Sequence, residues 1–162
     1  MLHRIATLFG IGYLRPAAGT WGSLAALPLA FGLMWLGGPW LLVAGIAAVT
    51  GLGFVAARAE ITLSDPDPGH VVIDEVAGQW VALLPVAFGA AGAGVGYGVL
   101  WPGWIAAFLL FRLFDVWKPG PVGWADRQQG ASGVMLDDLF AGLMAAVGVM
   151  ILAALAHGAM RL

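Results

Sequence analysis

The sequence predicts an all-α, polytopic membrane bundle of about five hydrophobic helices, with its polar motifs clustered at the cytoplasmic face. Three observations predict it. Of the 162 residues, 61% are hydrophobic and only 10% charged. Mean hydropathy is +0.92, too apolar for one soluble core of this size. Apolar runs near the roughly 20 residues needed to cross hydrocarbon recur along the whole chain. No internal repeat of useful length appears, so residues 1–162 read as a single membrane-embedded domain.

The runs lie near 22–37, 40–58, 71–89, 98–116 and 134–157. The first is short and carries Pro28, which admits a tilted or partly re-entrant course. Gly37-Gly38-Pro39 and the glycine-rich stretch from Gly89 to Gly98 are turn chemistry, short enough to join antiparallel neighbours. Lys and Arg accumulate on cytoplasmic loops and so orient the spans. Arg4 and Arg15 precede the first run, Arg58 follows the second, and Arg112, Lys118 and Arg127 lie at or beyond the end of the fourth. The loops after the first and third runs carry no Lys or Arg. Five crossings with a cytoplasmic amino terminus satisfy this pattern and leave only Arg161 on the far side. Segments 12–23, 65–75 and 112–138 then meet at one cytoplasmic face.

Composition also removes several function classes. There is no cysteine, which excludes a disulfide framework, a thiolate nucleophile and thiolate zinc sites. Seven Lys plus Arg are too few for a nucleic-acid footprint, so no nucleic-acid partner is expected. Arg15 and Pro16 interrupt any apolar core in the first 22 residues, which reads against a secretory leader. The sequence assigns no oligomeric state.

Of the nine acidic residues, five sit on apolar helical runs, and four form the adjacent pairs Asp74-Glu75 and Asp137-Asp138. A carboxylate at mid-depth in hydrocarbon costs about 2.5–3.5 kcal/mol on insertion scales, so acids there usually mark function. Asp74 and Glu75 fall in the first turns of the third span, where the helix dipole favours negative charge. Asp137 and Asp138 lie three to five residues into the last, on the same side. Headgroup-level acids at helix starts are the plain alternative for either pair alone; two pairs on one side favour a metal site. Adjacent residues diverge by about 100° around a helix, so one member can be a ligand while the other orients water or pairs with an arginine. Hard oxygen donors with no Cys and few His nearby suit Mg²⁺ better than Zn²⁺.

Between the pairs, residues 111–128 carry Arg112, Lys118 and Arg127, two further acids, Asp115 and Asp126, and interfacial Trp117 and Trp124. Arg112 and Asp115 have i,i+3 spacing and can neutralise each other. Lys118 and Arg127 flank a rigid Pro-Gly-Pro turn and make a candidate phosphate clamp, or else simple positive-inside anchors. Residues 10–23 are glycine-rich and end in Thr20 and Ser23 at a helix start, where N–H groups and hydroxyls can hold a phosphate oxygen; Thr20 as a plain N-cap is the alternative. There is no Walker loop. His70, nearest the acids, is a proton relay or a solvated loop residue; His3 and His157 read as incidental.

These segments resemble the phosphatidylglycerophosphatase A family over nearly the whole chain. The carriers are Gly19-Thr20-x-Gly22-Ser23, Asp74-Glu75-x-x-Gly78-x-Trp80, Phe111-Arg112-x-x-Asp115-x-x-Lys118-Pro119-x-Pro121 with Asp126-Arg127, and Gly133-x-Met135-x-Asp137-Asp138-x-x-x-Gly142. Ala18 stands where the family usually has proline, and Gly120 where a bulky residue is common. The resemblance implies a Mg²⁺-dependent lipid phosphatase of the bacterial inner membrane that hydrolyses phosphatidylglycerol phosphate to phosphatidylglycerol and phosphate at the cytoplasmic leaflet, with acyl chains left in the bilayer. It implies Asp74, Glu75, Asp137 and Asp138 as metal ligands and base, Asp115 and Asp126 among the catalytic acids, and Arg112, Lys118 and Arg127, with Thr20 and Ser23, on the phosphoryl oxygens. Direct attack by water and a phospho-aspartate intermediate both remain open. Two alternatives are weaker. CDP-alcohol phosphotransferases need a DG-x-x-AR core that is absent here, and a cation transporter places its acids near mid-depth with a path to both faces.

Overall fold

The structure, a computed structural model, describes residues 1–62, 64, 65, 68–128 and 130–159. Asp67 of the 65–75 segment and Arg161 of the charge pattern lie outside the described residues. Among the described residues there is no strand. The helices are α1 (Leu2–Ala6), α2 (Ala18–Glu60), α3 (Ile73–Ala82), α4 (Leu84–Ala93), α5 (Trp101–Trp117), α6 (Pro121–Asp126) and α7 (Ala131–Ala159). Short 3₁₀ turns occupy Ile11–Tyr13 and Tyr97–Leu100.

Among the described residues, four helical stretches are long and apolar enough to cross a membrane: Ala18–Glu60, Ile73–Ala93, Tyr97–Trp117 and Ala131–Gly158. The sequence predicts about five because it separates 22–37 from 40–58. In the structure both lie in α2, whose 43 residues would measure about 64 Å if straight, twice the hydrocarbon thickness. It is not straight. Gly37 (φ −151°, ψ 19°) and Gly38 (φ 70°, ψ −166°) leave the helical region, and Gly38 adopts a left-handed backbone that a side chain would resist. Pro39 follows and cannot donate to the preceding turn. The chain folds back there: a Cβ on Gly45 would lie 2.8 Å from Leu33 Cδ1. The first half of α2 begins at Ala18, four residues earlier than the expected 22, and from Ala18 to Leu36 it measures about 28 Å.

α3 is the central helix, packed against α2, α5 and α7, and eight of its ten residues are buried. Pro85 near the start of α4 accounts for the break at Leu83, since it lacks the N–H that would continue the α3 ladder. The buried contacts are made largely by small residues, among them Ala26, Ala30, Ala82, Ala87, Ala107, Ala141 and Ala145. That is how helices approach where lipid offers no hydrophobic contrast. Large apolar residues such as Leu29, Trp35, Leu36, Trp40, Leu109 and Ile151 face outward. Trp80 ties α3 to α2 by donating its indole N–H to the Ala26 carbonyl at 2.9 Å.

Candidate active site

The start of α2, the start of α3, the end of α5 and the first turns of α7 meet at one end of the bundle. Around their junction lies a cavity of about 260 Å³ lined by Asp74, Glu75, Asp115, Asp137 and Asp138, by Arg15, Arg112 and Lys118, and by small or apolar residues of the 17–19 segment, Pro68, Gly69, Val71 and Val134. Both acid pairs, separated by more than sixty residues of chain, therefore open on one space.

Two glycines bring them together. Gly78 follows Asp74, and Gly142 follows Asp138, by one helical turn. A Cβ on Gly142 would strike the Gly78 carbonyl, and a Cβ on Gly78 would lie 2.5 Å from the Asp138 carbonyl and from Phe111. The α3 and α7 backbones thus touch directly one turn from the acids. Gly19 does the same for α2: a Cβ there would strike Glu75 Oε1 and lie 3.1 Å from Arg112 Nη1.

Asp74, Glu75 and Asp138 each offer an oxygen within 4.8 Å of the others, and so do Asp115, Asp137 and Asp138. Asp138 belongs to both triads. The 100° divergence of neighbours on a helix does not separate the pairs, because the second helix supplies the missing direction. In each pair the first aspartate accepts the N–H of the second residue, Asp74 Oδ1 from Glu75 at 3.0 Å and Asp137 Oδ1 from Asp138 at 2.9 Å. The second residue of each pair keeps one oxygen without a protein partner: Glu75 Oε2 and Asp138 Oδ2 are buried and accept no hydrogen bond. Five carboxylates face three cations around this cavity, an excess of two negative charges in a poorly solvated place. Oxygen-only donors, orphaned acceptors and that charge excess fit a hard divalent cation such as Mg²⁺.

The cations are positioned by acids. Arg112 Nη1 lies 2.6 Å from Asp115 Oδ2 and 3.5 Å from Ser23 Oγ, so the expected i,i+3 pairing is present and the arginine still lines the cavity. Lys118 donates to Asp137 Oδ2 at 2.8 Å and to Asp126. Burial alone pulls the Lys118 ammonium down, but its bonds and charge contacts with Asp126 and Asp137 outweigh that and hold it above the ordinary lysine value. Lys118 ends α5 in a left-handed conformation (φ 52°), and Ala17 precedes α2 in another (φ 60°). For residues with a Cβ each costs about 1–2 kcal/mol, and both border the cavity, where such strain tends to collect.

Other expected residues take supporting or peripheral places. Ser23 is fully buried, donates to the Gly19 carbonyl at 2.8 Å and receives Arg112, so it braces the arginine and does not line the cavity. Thr20 is half-buried outside the lining, and the N-cap position belongs to Ala17 instead. Asp126 sits at the exposed end of α6 and reaches the site only through Lys118. Arg127 is exposed, off the lining, with its guanidinium beside Gly123. His70 is turned from the acids toward Glu60, 3.1 Å away, and His3 meets the same carboxylate at 3.0 Å, so His3 is not incidental. His157 contacts its own helix at the Ala153 carbonyl. Arg15, in the polar 10–23 segment, also stands on the cavity wall; in the sequence it reads only as one of the cations that orient the spans.

A family model for phosphatidylglycerophosphatase A matches residues 4–153. A phosphatidylglycerophosphatase A of Escherichia coli K12 is 34% identical over 149 residues, covering 89% of this chain and 78% of the relative. Its counterpart from Haemophilus influenzae is 32% identical over 150 residues, covering 91% and 86%. A Bacteroides thetaiotaomicron protein provisionally named a phosphatidylinositol-3-phosphatase is 36% identical over 144 residues, covering 86% and 85%. No solved structure matches significantly. A match that runs through every helix bordering the cavity makes the chain a member of the phosphatidylglycerophosphatase A family.

Proposed function

We propose that the chain is a Mg²⁺-dependent phosphatase that hydrolyses phosphatidylglycerol phosphate to phosphatidylglycerol and inorganic phosphate at the cytoplasmic leaflet of a bacterial inner membrane. The observation that carries this reading is the convergence of both acid pairs and three cations on one cavity, in a chain of this family. A divalent ion held by Asp74, Glu75, Asp137 and Asp138 would supply charge neutralisation at the phosphoryl oxygens. The remaining steps belong to side chains. Arg15, Arg112 and Lys118 bind the phosphate, which replaces Asp115 and Asp137 as the partner of the latter two. Once the phosphate takes these two cations, Asp137 is released to join Asp74, Glu75 and Asp138 as a donor toward the ion, and one of these carboxylates would take the proton of the attacking water and return it to the departing glycerol oxygen. Asp126 positions Lys118. Such chemistry is mostly positioning and electrostatics.

Topology follows from the same reading. Each half of α2 crosses once, giving five crossings, and the cavity end faces the cytoplasm together with Arg4, Arg15, Arg58 and Lys118. Because the chain has no cysteine, single-cysteine variants at Ser64 and Trp40 report this directly. Ser64→Cys should be labelled from the cytoplasm and Trp40→Cys from outside; the reverse would overturn the orientation. The transporter alternative is disfavoured because Asp74, Asp115, Asp137 and Asp138 all lie within the terminal turns of their helices.

The activity test uses the purified protein with phosphatidylglycerol phosphate in mixed micelles, with Mg²⁺, with EDTA, and with phosphatidic acid as competitor. Phosphate release that requires Mg²⁺ and resists the competitor supports the proposal. Release undiminished by EDTA removes the ion from it, and equal hydrolysis of phosphatidic acid removes the headgroup.

A further inference from the structure

Outside the cavity, at the same end of the bundle, a second group of ligating atoms converges from three separate elements. His3 on α1, Glu60 at the end of α2 and His70 in the loop before α3 each present one ligand atom within 4.8 Å of the others. His3 Nδ1 and His70 Nε2 address the same oxygen, Glu60 Oε2, at 3.0 and 3.1 Å. In a tetrahedral zinc site, with metal–nitrogen distances near 2.0–2.1 Å, ligand atoms sit about 3.3 Å apart, so small side-chain movements suffice. The far side of the His3 ring is already fixed, with Nε2 at 3.2 Å from the Tyr13 hydroxyl. The Tyr13 ring stacks on His70 with centroids 5.5 Å apart and planes at 11°. Partners of this kind orient ligating imidazoles from behind. The side chains of His3, Glu60 and His70 are 52%, 15% and 28% exposed, so water and ions reach them.

We propose that His3, Glu60 and His70 form a second metal site, separate from the carboxylate cavity, that takes a transition-metal ion of the Zn²⁺ class. Two imidazoles and one carboxylate are a donor set that zinc favours and magnesium does not, whereas the cavity offers oxygen alone. The ion ties α1 and the 68–72 segment to the end of α2. Pro68 and Gly69 of that segment wall the cavity, so the metal holds one side of the cavity in place from the rim. This inference does not depend on the identity of the lipid substrate.

The test takes the full-length protein in detergent, strips it with EDTA, restores excess Mg²⁺ to occupy the oxygen sites, and titrates it with Co²⁺ and then Zn²⁺. One Zn²⁺ per chain should survive desalting, and it should displace a Co²⁺ visible absorption. His3→Ala and His70→Ala should each weaken binding well beyond tenfold, and Tyr13→Phe about tenfold. No retained ion overturns the proposal. So does Zn²⁺ retained equally by both histidine variants, or lost from Asp138→Asn instead. Should the alanine variants fold poorly, ¹⁵N-histidine spectra of the wild-type protein decide. Zn²⁺ must shift the ring nitrogens of two histidines and leave those of His157 alone; any other pattern refutes the site.

Discussion

Gly142 and Gly148, both on α7, pack closely against neighbouring helices, and the two contacts differ in what stands opposite. At Gly142, near the cavity, the neighbour is the backbone carbonyl of Gly78; at Gly148, further from it, the neighbour is the side chain of Leu110, 2.8 Å from a hypothetical Cβ. A leucine can change rotamer, but a helical carbonyl has no such freedom. The near contact sets the spacing of Asp74 and Asp138, while the far contact only fills space between α5 and α7. Precision in this bundle is therefore concentrated at one end of its helices. At the other end, packing needs only to be apolar and of roughly the right size.

The largest effect should come from the residue both triads share. Asp138→Ala should lower kcat by about 100-fold or more, the scale seen when one preorganised electrostatic group is removed from an active site. The thermal midpoint should be preserved, because a buried acid without a protein partner contributes little to folding. Activity near that of the wild type would remove Asp138 from the site.

The glycine pair tests the comparison itself. Gly142→Ala should cost about 1–3 kcal/mol by overpacking and should lower activity, because α7 must back away from α3. Gly148→Ala should change stability by less than about 1 kcal/mol in either direction, since gained helix propensity offsets the displacement of Leu110. Equal losses in thermal unfolding would mean that both contacts are equally constrained.

The smallest effect concerns Lys118. Lys118→Ala should raise KM more than it lowers kcat, read from steady-state phosphate release. The Lys118 ammonium is held above the ordinary lysine value, so it stays charged below about 10.4, the ordinary lysine pKa, and loses its proton only above it. Its contributions to binding and stability are thus complete throughout the neutral range, and the ratio of wild-type to variant KM should stay flat from about pH 6 to pH 9. A ratio that climbs toward one as pH rises through this window would mean that Lys118 titrates there.

Much of this was legible in the sequence where the signal is local. Apolar runs marked the helices because hydrocarbon demands length and composition, and acid pairs inside such runs stood out because they are costly. Gly78 and Gly142 were visible as motif residues, though spacing alone does not reveal that they face each other. Nor does spacing reveal that Thr20 and Ser23 stand off the cavity lining. Hydroxyls at a helix start resemble phosphate ligands, whereas the residue that shapes the cavity there is Gly19, which has no side chain to notice. The runs 22–37 and 40–58 read as two segments because Gly37-Gly38-Pro39 is a strong turn signal, and α2 reverses direction at those glycines. The meeting of His3 with Glu60 and His70 had no local signature at all, since nothing in the spacing of two distant histidines announces that their rings share an oxygen.

The Gly78–Gly142 contact also acts as a pivot. Bilayers differ in thickness, and helices answer by tilting. A 10° rock of α7 about that contact moves a carboxylate one turn away by only about 1 Å, but it carries the far end of the helix, more than 20 Å off, through about 4 Å. The membrane can thus pull on the long arm of this lever while the short arm, which carries the acids, stays almost still.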